Sequence, residues 1–164
     1  MQKEKEENLK MIKHIKCDIF ESGADIICHQ VNCQGVMGSG VAKQIREKYP
    51  WVYATYKRAC DNAHSSGSRL LGRCQSVFID EQRLIVNIFA QDNFGYDGNC
   101  YTDYNALRDC LEMIKDRYHN KTISIPYLMA CHRGGGSWDI VSKMIEEVFA
   151  DNDCEILICE YNGG

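Results

Sequence analysis

The sequence predicts an α/β domain, a mixed and largely parallel sheet with helices on both faces. Three observations predict it. Short apolar runs alternate along the chain with longer stretches of helical periodicity. Two glycine-rich turns each follow a strand-like run and precede a helix-like one. One pair of strand-like runs, 73–79 and 83–90, is separated only by the polar turn Asp80–Gln82 and reads as a hairpin. The remaining strands are then joined through helices, as a parallel sheet requires. A length of 164 residues suits one soluble domain with one core.

The elements follow in order. Residues 11–17 (MIKHIKC) alternate as a first strand, and 24–31 (ADIICHQV) form a second, mostly buried one. After the first glycine turn, Val41, Ala42, Ile45 and Tyr49 mark one helix face, and Pro50 ends that helix. A further helix spans about 51–63 and breaks at Ser65, Ser66 and Gly67. The hairpin is followed by a loop over 91–100 and by a helix marked by Tyr104, Leu107, Leu111, Ile114 and Tyr118. A short strand at 122–126 enters the second glycine turn. A helix with Trp138, Val141, Ile145, Val148 and Phe149 on one face comes next, and 154–160 (CEILICE) is the last strand. The charged first ten residues, MQKEKEENLK, read as a flexible lead-in to a single domain over 11–164, not as a signal peptide.

Composition narrows the class. A hydrophobic share of 45% and a charged share of 26% are those of an ordinary globular chain. The net charge of −4 leaves no global basic field for nucleic acid, although a local basic patch stays open. No apolar run approaches membrane-spanning length. Ten cysteines are many, but Cys17, Cys28, Cys74, Cys154 and Cys159 lie in or beside apolar strand-like runs, where cysteine acts as a small hydrophobe. No C-x-x-C pair and no zinc spacing occurs. The expectation is reduced thiols in the cytoplasm, with no metal and no cofactor.

The two turns carry the chemistry. Glycine permits positive φ and lets backbone N–H groups come close to a ligand, and the helix N-terminus that follows adds partial positive charge. One such turn has an equally good reading as a tight turn alone. Two of them, both at the carboxyl ends of strands, are better explained by a ligand that spans both, and a diphosphate is the natural candidate. The first turn reads G-x-x-G-x-G from Gly35 to Gly40. It is neither G-x-x-x-x-G-K-[ST] nor G-x-G-x-x-G, which argues against a P-loop NTPase and a dinucleotide oxidoreductase.

The run HQVNCQGVMGSGVAKQIREKYP, with CDIF shortly before it, resembles the ADP-ribose-binding region of macro domains. The run IPYLMACHRGGGSWDIVSKMIEEVF resembles their second, phosphate-binding loop and its helix, and YKRAC…RLLGRC between them is also similar. The nearest subgroups are the yeast-type ADP-ribose-1″-phosphate phosphatases and the terminal-ADP-ribose glycohydrolases. The resemblance implies a three-layer α/β/α sandwich around a mixed six-stranded sheet. It also implies a ligand layout. Asp18 and Ile19 would meet the adenine, with Tyr161 flanking it. Asn32 would stand beside the distal ribose. Gly35, Val36, Met37, Gly38, Ser39, Gly40 and Val41 would wrap that ribose and a phosphate. Ala130, Cys131, His132, Arg133, Gly134, Gly135 and Gly136 would cradle the diphosphate.

Each assignment has a plain alternative. Asp18 caps a turn, Asn32 holds its own loop, Tyr161 is an ordinary strand-end aromatic, and Arg133 faces solvent instead of a phosphate. Trp138 reads as a core residue, and His14, His64 and His119 read as surface residues. His29 matches a histidine assigned to catalysis in the yeast-type phosphatases, and its alternative is a buried, satisfied imidazole. His132 is the other histidine placed to see the ligand. The lysine and aspartate of the glycohydrolase subgroup fall at about Gln91 and Gly134, so both groups are missing. Asp92 and Asp97, in the loop over 91–100, are candidates to supply a carboxylate, and their alternative is that of ordinary solvent-facing loop residues.

Three functions follow from the resemblance. The first is dephosphorylation of ADP-ribose 1″-phosphate, with His29 as base or nucleophile and Asn32 as a positioning group. The second is removal of ADP-ribose from modified protein or nucleic acid. The third is binding of ADP-ribose alone. Processing ranks above binding because the chain reads as a stand-alone domain. The expected partner is a small molecule, with no membrane and with nucleic acid only as a modified substrate.

Overall fold

The computed structural model describes residues 11–161, so the lead-in expected over 1–10 lies outside the described residues. Six strands form one sheet: β1 (Ile12–Lys16), β2 (Ile26–Val31), β3 (Cys74–Phe78), β4 (Leu84–Phe89), β5 (Thr122–Pro126) and β6 (Glu155–Glu160). Their spatial order is β1-β6-β5-β2-β4-β3. Every neighbouring pair is parallel except β3 with β4. The hairpin turn is tied by Asp80, whose Oδ1 accepts from the N–H groups of Gln82 and Arg83.

Four helices cover the sheet: α1 (Gly40–Lys48), α2 (Pro50–Ser66), α3 (Tyr104–Arg117) and α4 (Trp138–Val148). Alternation along the strands decides which face each helix takes. Ile26 and Cys28 of β2 pack with Leu107, Leu111 and Ile114 of α3 and Val141 and Ile145 of α4. Ile27 and Val31 point the other way, to Ile45 of α1 and to Val52 and Tyr56 of α2. The result is two helices, a sheet and two helices, the three layers expected.

The helix boundaries differ slightly from expectation. Pro50 does stop α1, but it also opens α2 at a position where its missing N–H costs nothing. Helix α2 runs on to Ser66, whose hydroxyl bonds back to the Asn62 carbonyl, and ends on Gly67 in the left-handed region at φ +70°. Asp103 caps α3 by accepting from the Ala106 N–H. All ten cysteines are free. No helix among the described residues is long and apolar enough to cross a membrane.

Five of the six strands run the same way, so the loops that follow β1, β2, β4 and β5 gather at one edge with Tyr161 at the end of β6. Both glycine-rich turns are among these loops.

Candidate functional site

That edge holds a cavity of about 630 Å³, a size that suits a nucleotide-scale ligand. Its walls are the loop after β2 with the first turn of α1, the loop after β4, the loop after β5, and the exit of β6. The side chains are selective in charge. Among the described residues no Asp, Glu or Lys lines the cavity, and Arg133 is the one fixed cation there.

The first loop is organised by Asn32. Its Oδ1 accepts from the N–H of Gln34 at 2.9 Å and from the Tyr56 hydroxyl at 2.8 Å. Its Nδ2 donates to the Val36 carbonyl at 2.9 Å. The loop-holding alternative for Asn32 is thus observed. Asn32 also lines the cavity, as do Val36, Gly38, Ser39, Gly40 and Val41. Gly35 and Met37 do not. Gly35 has φ +83° and backs onto the Lys57 stem, and Met37 is buried in the core under α2. No side chain caps α1, and Ser39, Gly40, Val41 and Ala42 at its start line the cavity.

The second wall begins earlier than the sequence suggests, at Pro126, and includes Tyr127, Leu128, Met129, Ala130, His132, Arg133 and Gly134. Cys131, Gly135 and Gly136 do not line it. Cys131 turns toward the core, and the two glycines pack against Asn99, Tyr104 and the Ala130 carbonyl. Leu128 and Ala130 adopt φ +62° and +72°, unusual for residues with a Cβ. Trp138 packs edge-on against Tyr127 at 5.3 Å and does not line the cavity; it is half-buried against the core where a core residue was expected.

The loop after β4 supplies residues that sequence reasoning missed. Phe94 and Tyr96 line the cavity, and the Arg133 guanidinium stacks 4.2 Å above the Tyr96 ring. Arg133 is exposed and rests on Tyr96 at the cavity wall. Gln30 ties the walls together, donating from Nε2 to Gln91 Oε1 and to Thr102 Oγ1, both at 2.9 Å. Thr102 in turn donates to the Ala130 carbonyl. Gln91, near which the glycohydrolase lysine was expected to fall, is held in an amide network. Neither Asp92 nor Asp97 lines the cavity, and Asp97 is engaged by the Tyr101 hydroxyl and the Asn99 N–H.

His29 lies on the cavity floor and is 2% exposed. Its Nε2 meets Asn87 Oδ1 at 2.5 Å, while Nδ1 is buried with no partner. Burial outweighs the Asn87 contact and lowers its pKa from 6.5 to about 4, so the ring is neutral at neutral pH. Tyr161 lines the opposite end and is exposed. Asp18 and Ile19 do not line the cavity: Asp18 accepts from the Phe20 N–H at 2.9 Å as the cap of a short turn, and Ile19 is buried. His14, His64 and His119 are exposed. Among the described residues no cluster of three or more His, Cys, Asp or Glu is placed to hold a metal.

A mixed six-stranded sheet between two helix pairs is also the fold of solved macrodomains, and the chain shares that fold. The macrodomain of Thermus aquaticus DarG matches with a TM-score of 0.71 at 22% identity, covering 93% of this chain and 98% of that one. Thermosipho africanus DarTG in complex with ADP-ribose matches with a TM-score of 0.74 at 18% identity, covering 91% of this chain and 41% of that one. The chain is 24% identical to a DNA ADP-ribosyl glycohydrolase of Mycobacterium tuberculosis over 158 residues, 94% of this chain and 43% of the relative. It is 37% identical to an ADP-ribose 1″-phosphate phosphatase of Scheffersomyces stipitis over 78 residues, 44% of each. The chain thus spans less than half the length of these two relatives. No family model matches it.

Proposed function

We propose that this domain binds ADP-ribose or a derivative in the cavity and hydrolyses the terminal phosphate of ADP-ribose 1″-phosphate. The observation that carries the reading is the lining: one guanidinium and the uncapped start of α1 border the cavity, and no carboxylate among the described residues lines it to repel a diphosphate. In this reading Ala130, His132, Arg133 and Gly134 hold the diphosphate, and Gly38 to Val41 surround the distal ribose beside Asn32. Tyr161 flanks the adenine, with Asp18 and Ile19 near it at the exit of β1. His29 is the basic side chain on the floor. The phosphatase relatives, similar at 37% over part of the chain, support the same reaction. The free thiols suit a reducing cytoplasm.

Calorimetry with ADP-ribose tests the binding, and no heat at millimolar ligand would sink it. Phosphate release from ADP-ribose 1″-phosphate tests the reaction. His29→Ala is expected to abolish release and keep ADP-ribose affinity within a few fold.

A second reading has its own support. The DNA ADP-ribosyl glycohydrolase relatives match 94% of this chain, which favours removal of ADP-ribose from modified nucleic acid. Gln91 and Gly134 weigh against a lysine mechanism there. Release of ADP-ribose from modified thymidine in DNA would establish this second reading. Binding with neither activity would leave an ADP-ribose binding module.

A further inference from the structure

Beneath α2 three polar side chains cross three adjacent strands in one row. The register pairs His29 of β2 with Asn87 of β4, and Asn87 with Gln75 of β3. They lie on the face that carries Ile85 and Phe89, in the layer covered by α1 and α2. Asn87 is fully buried. The row ends on main chain: Gln75 Nε2 donates to the Thr55 carbonyl of α2 at 3.3 Å.

That last contact orients the rest. A backbone carbonyl only accepts, so it must meet the NH₂ end of the Gln75 amide. Gln75 Oε1 then faces Asn87 and accepts from Asn87 Nδ2 at 3.0 Å. The Asn87 amide is thereby turned with Oδ1 toward His29. An oxygen that only accepts requires a donor, and a neutral imidazole has one N–H to give. It sits on Nε2, and Nδ1 keeps a bare lone pair. This nitrogen is the buried one without a partner, on a ring that lines the cavity floor. An orphan acceptor is costly in a buried site until something donates to it.

We propose that the Thr55–Gln75–Asn87 row is a positioning device that locks His29 as its Nε2–H tautomer and leaves Nδ1, enclosed at the cavity floor, as the bare acceptor that an O–H group reaches when the floor opens to it. The donor is a ligand hydroxyl or a water, never an ionised phosphate oxygen, which would set lone pair against lone pair. The phosphate is thereby assigned to the loop amides and Arg133, and a hydroxyl or the hydrolytic water to His29. The identity of the donor rests on the proposed function. The tautomer lock does not.

Long-range ¹H–¹⁵N correlation spectra of ¹⁵N-labelled protein test the lock without ligand. At neutral pH the wild type is expected to show one tautomer, with Nε2 protonated and Nδ1 bare. Gln75→Leu frees the Asn87 amide to rotate and is expected to give a tautomer mixture in a folded protein. Asn87→Asp is nearly isosteric; it keeps Nε2–H and moves the His29 titration from about 4 toward neutrality. An Nδ1–H tautomer in the wild type, or an unmixed Nε2–H in Gln75→Leu, overturns the lock. ADP-ribose is then added. A shift of the Nδ1 resonance on binding supports the acceptor role, and binding seen by calorimetry with Nδ1 unmoved overturns it. Absence of binding overturns the proposed function instead, and the lock is still decided by the free-protein spectra.

Discussion

The two glycine-rich loops look alike in sequence and differ in how most of their glycines are used in the structure. In the first, Gly38 and Gly40 line the cavity, and a Cβ on either would meet little: Val36 Cγ1 at 3.6 Å for Gly38 and nothing within 4 Å for Gly40. In the second, a Cβ on Gly134 would overlap Thr102 and the Ala130 carbonyl, one on Gly135 the Asn99 carbonyl, and one on Gly136 would come within 2.8 Å of the Ala130 oxygen. In the first loop the two glycines leave open space at the cavity wall. In the second they let its own chain close against the loop after β4, where Gly134 O accepts from the N–H groups of Tyr101 and Thr102. A glycine run therefore marks a close approach without saying what approaches.

The largest test of that contrast is Gly135→Ala. Its φ of +69° and its overlap with main chain combine strain and overpacking, for a loss of about 3 kcal/mol in urea unfolding. A loss below about 0.5 kcal/mol would remove the packing role assigned to the second loop. Acid addresses the floor that the two loops share. Unfolded His29 titrates near 6.5 and the folded one at about 4. Between those values the unfolded chain binds a proton that the native one refuses. Stability is therefore lost as pH falls through that window, by about 3 kcal/mol in full. His29→Gln is expected to remove that share of the slope in denaturation curves compared from pH 7 to pH 4.

The strands and helices were legible because periodicity reports burial, and burial is what the sheet imposes. Cys28 and His29 point to opposite layers, as alternation requires, and the β3–β4 hairpin was marked by its turn residues. The site was legible only along the chain. Gly38 to Val41 and Ala130 to Gly134 could be found in two short runs, whereas Cys131, Gly135 and Gly136 were grouped with them by adjacency alone. Tyr96 reaches Arg133 across 37 residues of sequence, and His29 reaches Asn87 across 58. Long-range pairing of this kind leaves no local pattern. Leu128 and Ala130 were hidden for another reason. Their positive φ is imposed by the loop's closure, and nothing in either side chain signals it.

Tyr56→Phe probes the first loop from behind. The Tyr56 hydroxyl reaches both oxygens of Asn32 at 2.8 Å and is itself buried. Its loss leaves the Asn32 carbonyl short of a donor and costs about 1–2 kcal/mol in thermal or urea unfolding. ADP-ribose affinity is expected to fall as well, because Asn32 sets the path of Val36 and Gln34. Unchanged affinity would show that the loop keeps its shape without this anchor.

Gly38→Ala has the smallest effect on the fold and separates the two loops most cleanly. Its backbone is outside the left-handed region, and the added methyl meets only Val36 at ordinary contact distance. Stability should therefore stay within about 0.5 kcal/mol of wild type. The methyl enters the cavity wall, however, and takes space from a ligand pressed against the loop. An affinity loss of about tenfold for ADP-ribose, or about 1.4 kcal/mol, is expected by calorimetry. Gly40→Ala is the control for backbone strain. At φ +60° it costs about 1 kcal/mol of stability through the chain alone, with open space around the new methyl. If Gly38→Ala binds ADP-ribose as wild type does, the bare surface of the first loop serves no ligand, and the difference drawn between the loops reduces to a difference in packing.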